Sequence, residues 1–142
     1  MLNSMSLNFK AKLENIQFSR NACAIFIHDL KVSLSFVQEI KTIISEGVTN
    51  SIIHGYNSDE TKIVNINMSY DKEYIYLEII DQGVGIPDIN EARLPLFTTK
   101  SESERSGLGF TIMEVFSDSL IVESILNKGT KLIIKKKIEK DE

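Results

Sequence analysis

Apolar residues recur along this chain with two different periods, and the switches between them mark its elements. Met5, Leu7, Phe9 and Ala11 alternate with polar neighbours, which predicts a first strand over 5–12, suited to a sheet edge. Ile16, Ala22, Cys23, Phe26, Ile27 and Leu30 then fall at helical spacing across 15–31. A second helix is predicted over 35–54, capped by Ser33 or Ser35. Its apolar face is Phe36, Val37, Ile40, Ile44, Gly47, Val48 and Ser51, and Gly55 stops it. Residues 62–70 and 74–81 both alternate around Asp71-Lys72-Glu73, which reads as a hairpin. From 82 to 105 the pattern dissolves into glycines, both prolines and a Thr/Ser/charge mixture. Loops longer than about 12–15 residues inside a compact domain are uncommon and usually functional. Ser106-Gly107 opens a third helix to about 117, and 119–126 with 130–138 form a last hairpin around Asn127-Lys128-Gly129. This order predicts an α+β fold, a two-layer α/β sandwich whose mixed, mostly antiparallel sheet carries its helices on one face.

Composition narrows the classes. A chain of 142 residues, 42% apolar and 25% charged, suits a single globular domain over 1–142. Its net charge of −4 gives no reason to expect a nucleic-acid surface. Cys23 is the only cysteine, so no internal disulfide forms. No apolar run approaches the roughly 20 residues of a membrane span, and MLNSMSLNFKAKLEN lacks the order of a signal peptide. A cytoplasmic protein is expected. The Lys135–Lys137 run reads as the exposed side of a terminal strand.

The candidate chemistry gathers at three places. On a wheel centred on Ile40, Asn50 falls roughly 80° from the apolar centre and Glu46 roughly 120° on the same side. Four residues apart, they share one stripe where the core ends, with His54 further along that border. In IIDQGVGIP, Asp81 ends a strand, and Gly83 and Gly85 let a flat ligand approach bare backbone. In SGLGF, a glycine pair enters a helix N-terminus, whose free N–H groups suit phosphate. Either glycine pair alone reads as a turn or a cap. Together, with a long loop between them and Glu46/Asn50 upstream, they outline a ligand pocket.

The ordered set E-x-x-x-N followed by HG (46–55), DxGxG (81–85), a lid over about 86–106 and GLGF (107–110) resembles the GHKL family of ATPases and kinases. Within that family, SEGVTNSIIHGY, EARLPLFTTK and ERSGLGFTIME resemble the branch of sporulation anti-sigma factors that are serine kinases. The resemblance implies the Bergerat ATP-binding fold, with ATP or ADP and Mg²⁺ as cofactors. It implies that Asp81 accepts a hydrogen bond from the adenine amino group, with Thr130 supporting the base through water. Asn50 is the implied magnesium ligand and Glu46 the general base. Gly83, Gly85, Ile86, Ser106, Gly107, Leu108 and Gly109 belong to the implied nucleotide-binding set, with Thr98, Thr99 and Lys100 on the lid. Arg105 is placed to stabilise charge on the γ-phosphate. The implied partners are a sigma factor of the sigma-F type, an anti-anti-sigma protein of the STAS class as phospho-acceptor, and a second copy of the chain. Nucleic acid and membrane are not among them. Arg20 on the first helix is a candidate partner contact, and equally a solvated arginine. A nucleotide-gated sigma-binding module with negligible kinase activity is the competing expectation.

Overall fold

The computed structural model describes residues 1–94 and 108–140. Five strands, β1 (Asn3–Lys10), β2 (Ile63–Tyr70), β3 (Tyr74–Asp81), β4 (Ser119–Ile125) and β5 (Gly129–Lys137), form one sheet in the order β1-β2-β3-β5-β4. Every pairing among the described residues is antiparallel, so the sheet is not mixed. β1 is an edge, as its alternation suggested. The helices are α1 (Glu14–Phe26), α2 (Leu34–Asn50), α3 (Ile89–Ala92) and α4 (Gly109–Phe116).

Period-two alternation divides the sheet into two faces. Val64, Ile66 and Met68 of β2, Ile75, Leu77 and Ile79 of β3, and Leu132 and Ile134 of β5 are buried under the helices. Phe36, Ile40, Ile43, Ile44 and Val48 supply the opposing face of α2, which packs between α1 and α4. The Ser33 hydroxyl caps α2 by accepting from the Phe36 N–H at 3.1 Å. The second helix does not stop at Asn50. It runs on as a π turn over Ser51–Gly55, closed by a bond from the Tyr56 N–H to the Ser51 carbonyl.

Lys136 departs from the expected exposed lysine run. β5 lies inside the sheet, and Lys136 shares the parity of Leu132 and Ile134, so it points into the core face and is 7% exposed. Its ammonium donates to Glu39 Oε1 at 2.7 Å and to the Phe116 carbonyl at 2.5 Å, joining β5 to α2 and to the end of α4. Lys135, on the opposite face, lies over the Tyr74 ring at 4.2 Å, and Lys137 is exposed.

Candidate functional site

Where the sheet meets the end of α2, a cavity of about 600 Å³ opens. Its size falls within the range of small-molecule sites. Asn50, Ser51, His54 and Gly55 form one wall, Val84, Gly85 and Ile86 a second, and Leu126, Asn127, Thr130 and Leu132 a third. Gly109 and Phe110 at the start of α4, with Asp88, Glu91 and Ala92 around α3, complete the rim.

Asp81 is the buried charge of this cavity, only 6% exposed. The β3–β5 register sets it opposite Thr130. Burial pushes its carboxyl above the usual carboxylate range, while donors from the Gly83 backbone, the Ser51 hydroxyl and the Thr130 backbone oppose that shift. The Gly83 N–H reaches Oδ1 at 3.0 Å. A desolvated carboxylate at the floor of a largely apolar cavity selects a ligand that brings a hydrogen-bond donor.

The backbone around Asp81 is fixed by close approach. A Cβ on Gly83 would run into the carbonyl of Gly55, whose oxygen accepts from the Val84 N–H at 2.9 Å. Tyr56 braces the same corner. Its hydroxyl donates to the Ile63 carbonyl at 2.6 Å and accepts from the Gln82 N–H at 2.7 Å. Gly85 holds φ +79°, and its missing Cβ makes room for the Ile125 carbonyl and Leu126.

Asn50 lines the cavity, and its amide nitrogen is buried with no hydrogen-bond partner among the described residues. Amide oxygen and nitrogen exchange by a half-turn of the side chain, so this edge can equally offer an oxygen ligand to a cation. No cluster of three His, Cys, Asp or Glu residues among the described residues could hold a metal alone. A divalent ion here would have to take its other ligands from the bound molecule or from water, which is the habit of Mg²⁺.

The structure brings Asn50, Asp81, Gly85, Ile86, Gly109 and Thr130 together around the cavity. Gly83 stands behind Asp81 rather than on the wall, and Leu108 precedes α4 outside the lining. Glu46 is half-buried one helical turn before Asn50 and is not among the residues lining the cavity. Arg20 is half-buried on α1, which contributes nothing to the cavity wall. Thr98, Thr99, Lys100, Arg105, Ser106 and Gly107 lie outside the described residues. Sequence reasoning did not single out Ser51, Phe110, Leu126 and Asn127 for the site, nor Ser124 behind it. Ser51 sits on the apolar face of its helix, and that polar side chain among core positions was the available signal.

The family profile described as the Histidine kinase-like ATPase domain matches residues 9–136, and the chain belongs to that family. Its relatives narrow the resemblance further. The chain is 54% identical to an Anti-sigma F factor of Geobacillus kaustophilus over 140 residues, 99% of this chain and 96% of that one. It is 51% identical to an Anti-sigma F factor of Clostridium perfringens, covering 97% of this chain and 99% of that one. Among solved structures, part of a chain described as the RsbU and RsbW domains of Rv1364c from Mycobacterium tuberculosis shares its fold, with a TM-score of 0.68 at 13% identity. That alignment covers 96% of this chain and 32% of the other. No helix among the described residues is long and apolar enough to cross a membrane.

Proposed function

We propose that this chain is an ATP-binding anti-sigma factor that captures a sigma factor of the sigma-F type. We further propose that it phosphorylates a serine of a STAS-type anti-anti-sigma protein. The observation that carries the reading is Asp81, a buried carboxylate opposite Thr130 in a cavity that is also lined by the orphaned Asn50 amide. Near full-length similarity to Anti-sigma F factors supports the sigma-factor partner.

Asp81 accepts from the exocyclic amine of adenine. The 6-oxo group of guanine would set acceptor against acceptor, at a cost of about 1–3 kcal/mol. Asn50 would hold Mg²⁺ together with the phosphates, and the ion would draw off charge that builds on them during transfer. Glu46 takes the proton of the acceptor serine as its oxygen bonds to the γ-phosphorus and the β–γ bridging oxygen leaves with ADP. On this reading Gly109, which lines the cavity at the start of α4, faces the phosphates. The lid positions Thr98, Thr99, Lys100 and Arg105, with Ser106 and Gly107, remain assignments from the resemblance. The exposed edge of β1 is the surface proposed for a two-fold dimer.

The position of Glu46 outside the cavity lining favours a second reading, a nucleotide-gated sigma-binding module with negligible transfer. One experiment separates the two. Radiolabelled ATP is mixed with the STAS protein and either the natural chain or Glu46→Ala, and ADP binding is measured alongside. Label on the STAS protein, lost in Glu46→Ala with binding retained, supports the kinase. Sigma capture without transfer supports the module, and absence of nucleotide binding overturns both.

A further inference from the structure

The β4–β5 hairpin carries a polar side chain that touches the base end of the cavity only through other groups. Ser124 lies on β4, outside the cavity lining, with the parity that turns Leu120 and Val122 toward the core side. Its hydroxyl oxygen accepts from the Ile86 N–H at 2.8 Å. The same oxygen lies 2.9 Å from the Thr130 hydroxyl and 3.2 Å from the Gly129 carbonyl. One serine therefore meets the root of the long loop after β3 and the side chain opposite Asp81.

A hydroxyl has one proton to give and can accept twice. If Ser124 donates to the Gly129 carbonyl, Thr130 must donate to Ser124 and shows the cavity only lone pairs. If Ser124 donates to Thr130, the Thr130 proton is released toward the cavity. The proton on Ser124 thus sets whether Thr130 meets a ligand as donor or as acceptor. The Ile86 N–H holds the serine oxygen in place while this choice is made. Around this contact the Asn127 N–H donates to the Val84 carbonyl at 2.8 Å, and Gly85 lies against Ile125. The loop root and the hairpin are zipped together, and Ser124 in that seam also reaches Thr130, the residue opposite Asp81.

We propose that Ser124 is a positioning residue that orients the Thr130 hydroxyl for base recognition and anchors the start of the loop after β3 at Ile86. The inference rests on the nucleotide reading above for its ligand, but not for its first test. In nucleotide-free protein, amide exchange at Ile86 is compared between the natural chain, Ser124→Ala and Ser124→Thr. Ser124→Ala loses Ile86 protection while Met113 and Ile134 in the core keep theirs, and Ser124→Thr, which keeps a hydroxyl, restores it. Calorimetry then compares ADP with inosine diphosphate, whose base carries oxygen where adenine carries the amine.

Ser124→Ala is expected to weaken ADP binding about fivefold to tenfold and to narrow the preference for ADP by a similar factor. Thr130→Val has the same effect, and the double variant loses no more than Thr130→Val alone, because Ser124 acts through Thr130. Unchanged Ile86 exchange, or unchanged base preference in a Ser124→Ala protein that binds ADP, overturns the proposal. Effects of Ser124→Ala and Thr130→Val that simply add overturn it as well. A natural chain that binds neither diphosphate defeats the nucleotide reading and base recognition with it, and the exchange data still decide the anchor at Ile86.

Discussion

Gly55 and Gly83 meet backbone to backbone, so the end of the second helix and the turn after β3 are one joint. Gly83→Ala would thrust a methyl into the Gly55 carbonyl, and neither partner is a flexible side chain that can swing away. The expected cost is about 1–3 kcal/mol or more, read as a lower urea midpoint. Adenine nucleotide affinity should fall with it, because the displaced segment carries Asp81.

Tyr56→Phe tests the brace at the same corner. It strips the Ile63 carbonyl and the Gln82 N–H of their partner while keeping the ring buried. Leaving those groups without a partner costs about 1–3 kcal/mol, and chemical denaturation should show a shifted midpoint with an unchanged slope. An unchanged midpoint would show that the hydroxyl braces nothing.

Asp81 sets function against stability. Its carboxyl titrates above its unfolded value because burial disfavours the charge. The folded chain therefore holds this proton more tightly than the unfolded one, and Asp81's contribution falls as pH rises through that window. At neutral pH the buried charge is a net cost. Asp81→Asn should raise the melting temperature of the nucleotide-free protein while ADP affinity drops by more than about tenfold. A lowered melting temperature, or undiminished ADP binding, would contradict this account.

The same shift gives binding a pH dependence. Protonated Asp81 turns an acceptor into a donor, so ADP affinity should weaken on acidification, starting at a higher pH than an ordinary carboxylate would cause. Calorimetric titrations from neutral toward acid pH at fixed ionic strength would show it. The Asp81→Asn variant should lack that component of the profile.

Lys136 clamps three elements from inside the core face. Lys136→Ala leaves the Phe116 carbonyl without its donor and Glu39 without its partner. Glu39 is partly exposed and recovers some hydration, so a loss of about 1–3 kcal/mol is expected rather than the larger cost of a fully buried orphan charge. Lys136→Met, which keeps the stem packed, should lose less.

Period alone located most of this fold. β3 runs over Tyr74–Asp81 as its alternation predicts, and that placed Asp81 at a strand end. Ser33 caps α2 as one of its two candidates. α3 was not legible, because its four residues lie in a stretch without periodicity. Lys136 could have been found, since the alternation that buries Leu132 and Ile134 counts on to 136, but lysine's preference for water masked it. Ser124 was beyond reach. Its role depends on which backbone amide lies across the seam, and a hydrogen bond between residues 38 positions apart leaves no trace in local pattern.

The π turn between Asn50 and Tyr56 sets a limit on how this molecule can be improved. Deleting one residue there would restore an ordinary helical pitch and swing Gly55 off the glycine it rests on. Any engineer seeking a sturdier scaffold by regularising that helix would produce one blind to its ligand. The irregular stretch is thus a fixed length of chain, intolerant of a change in count.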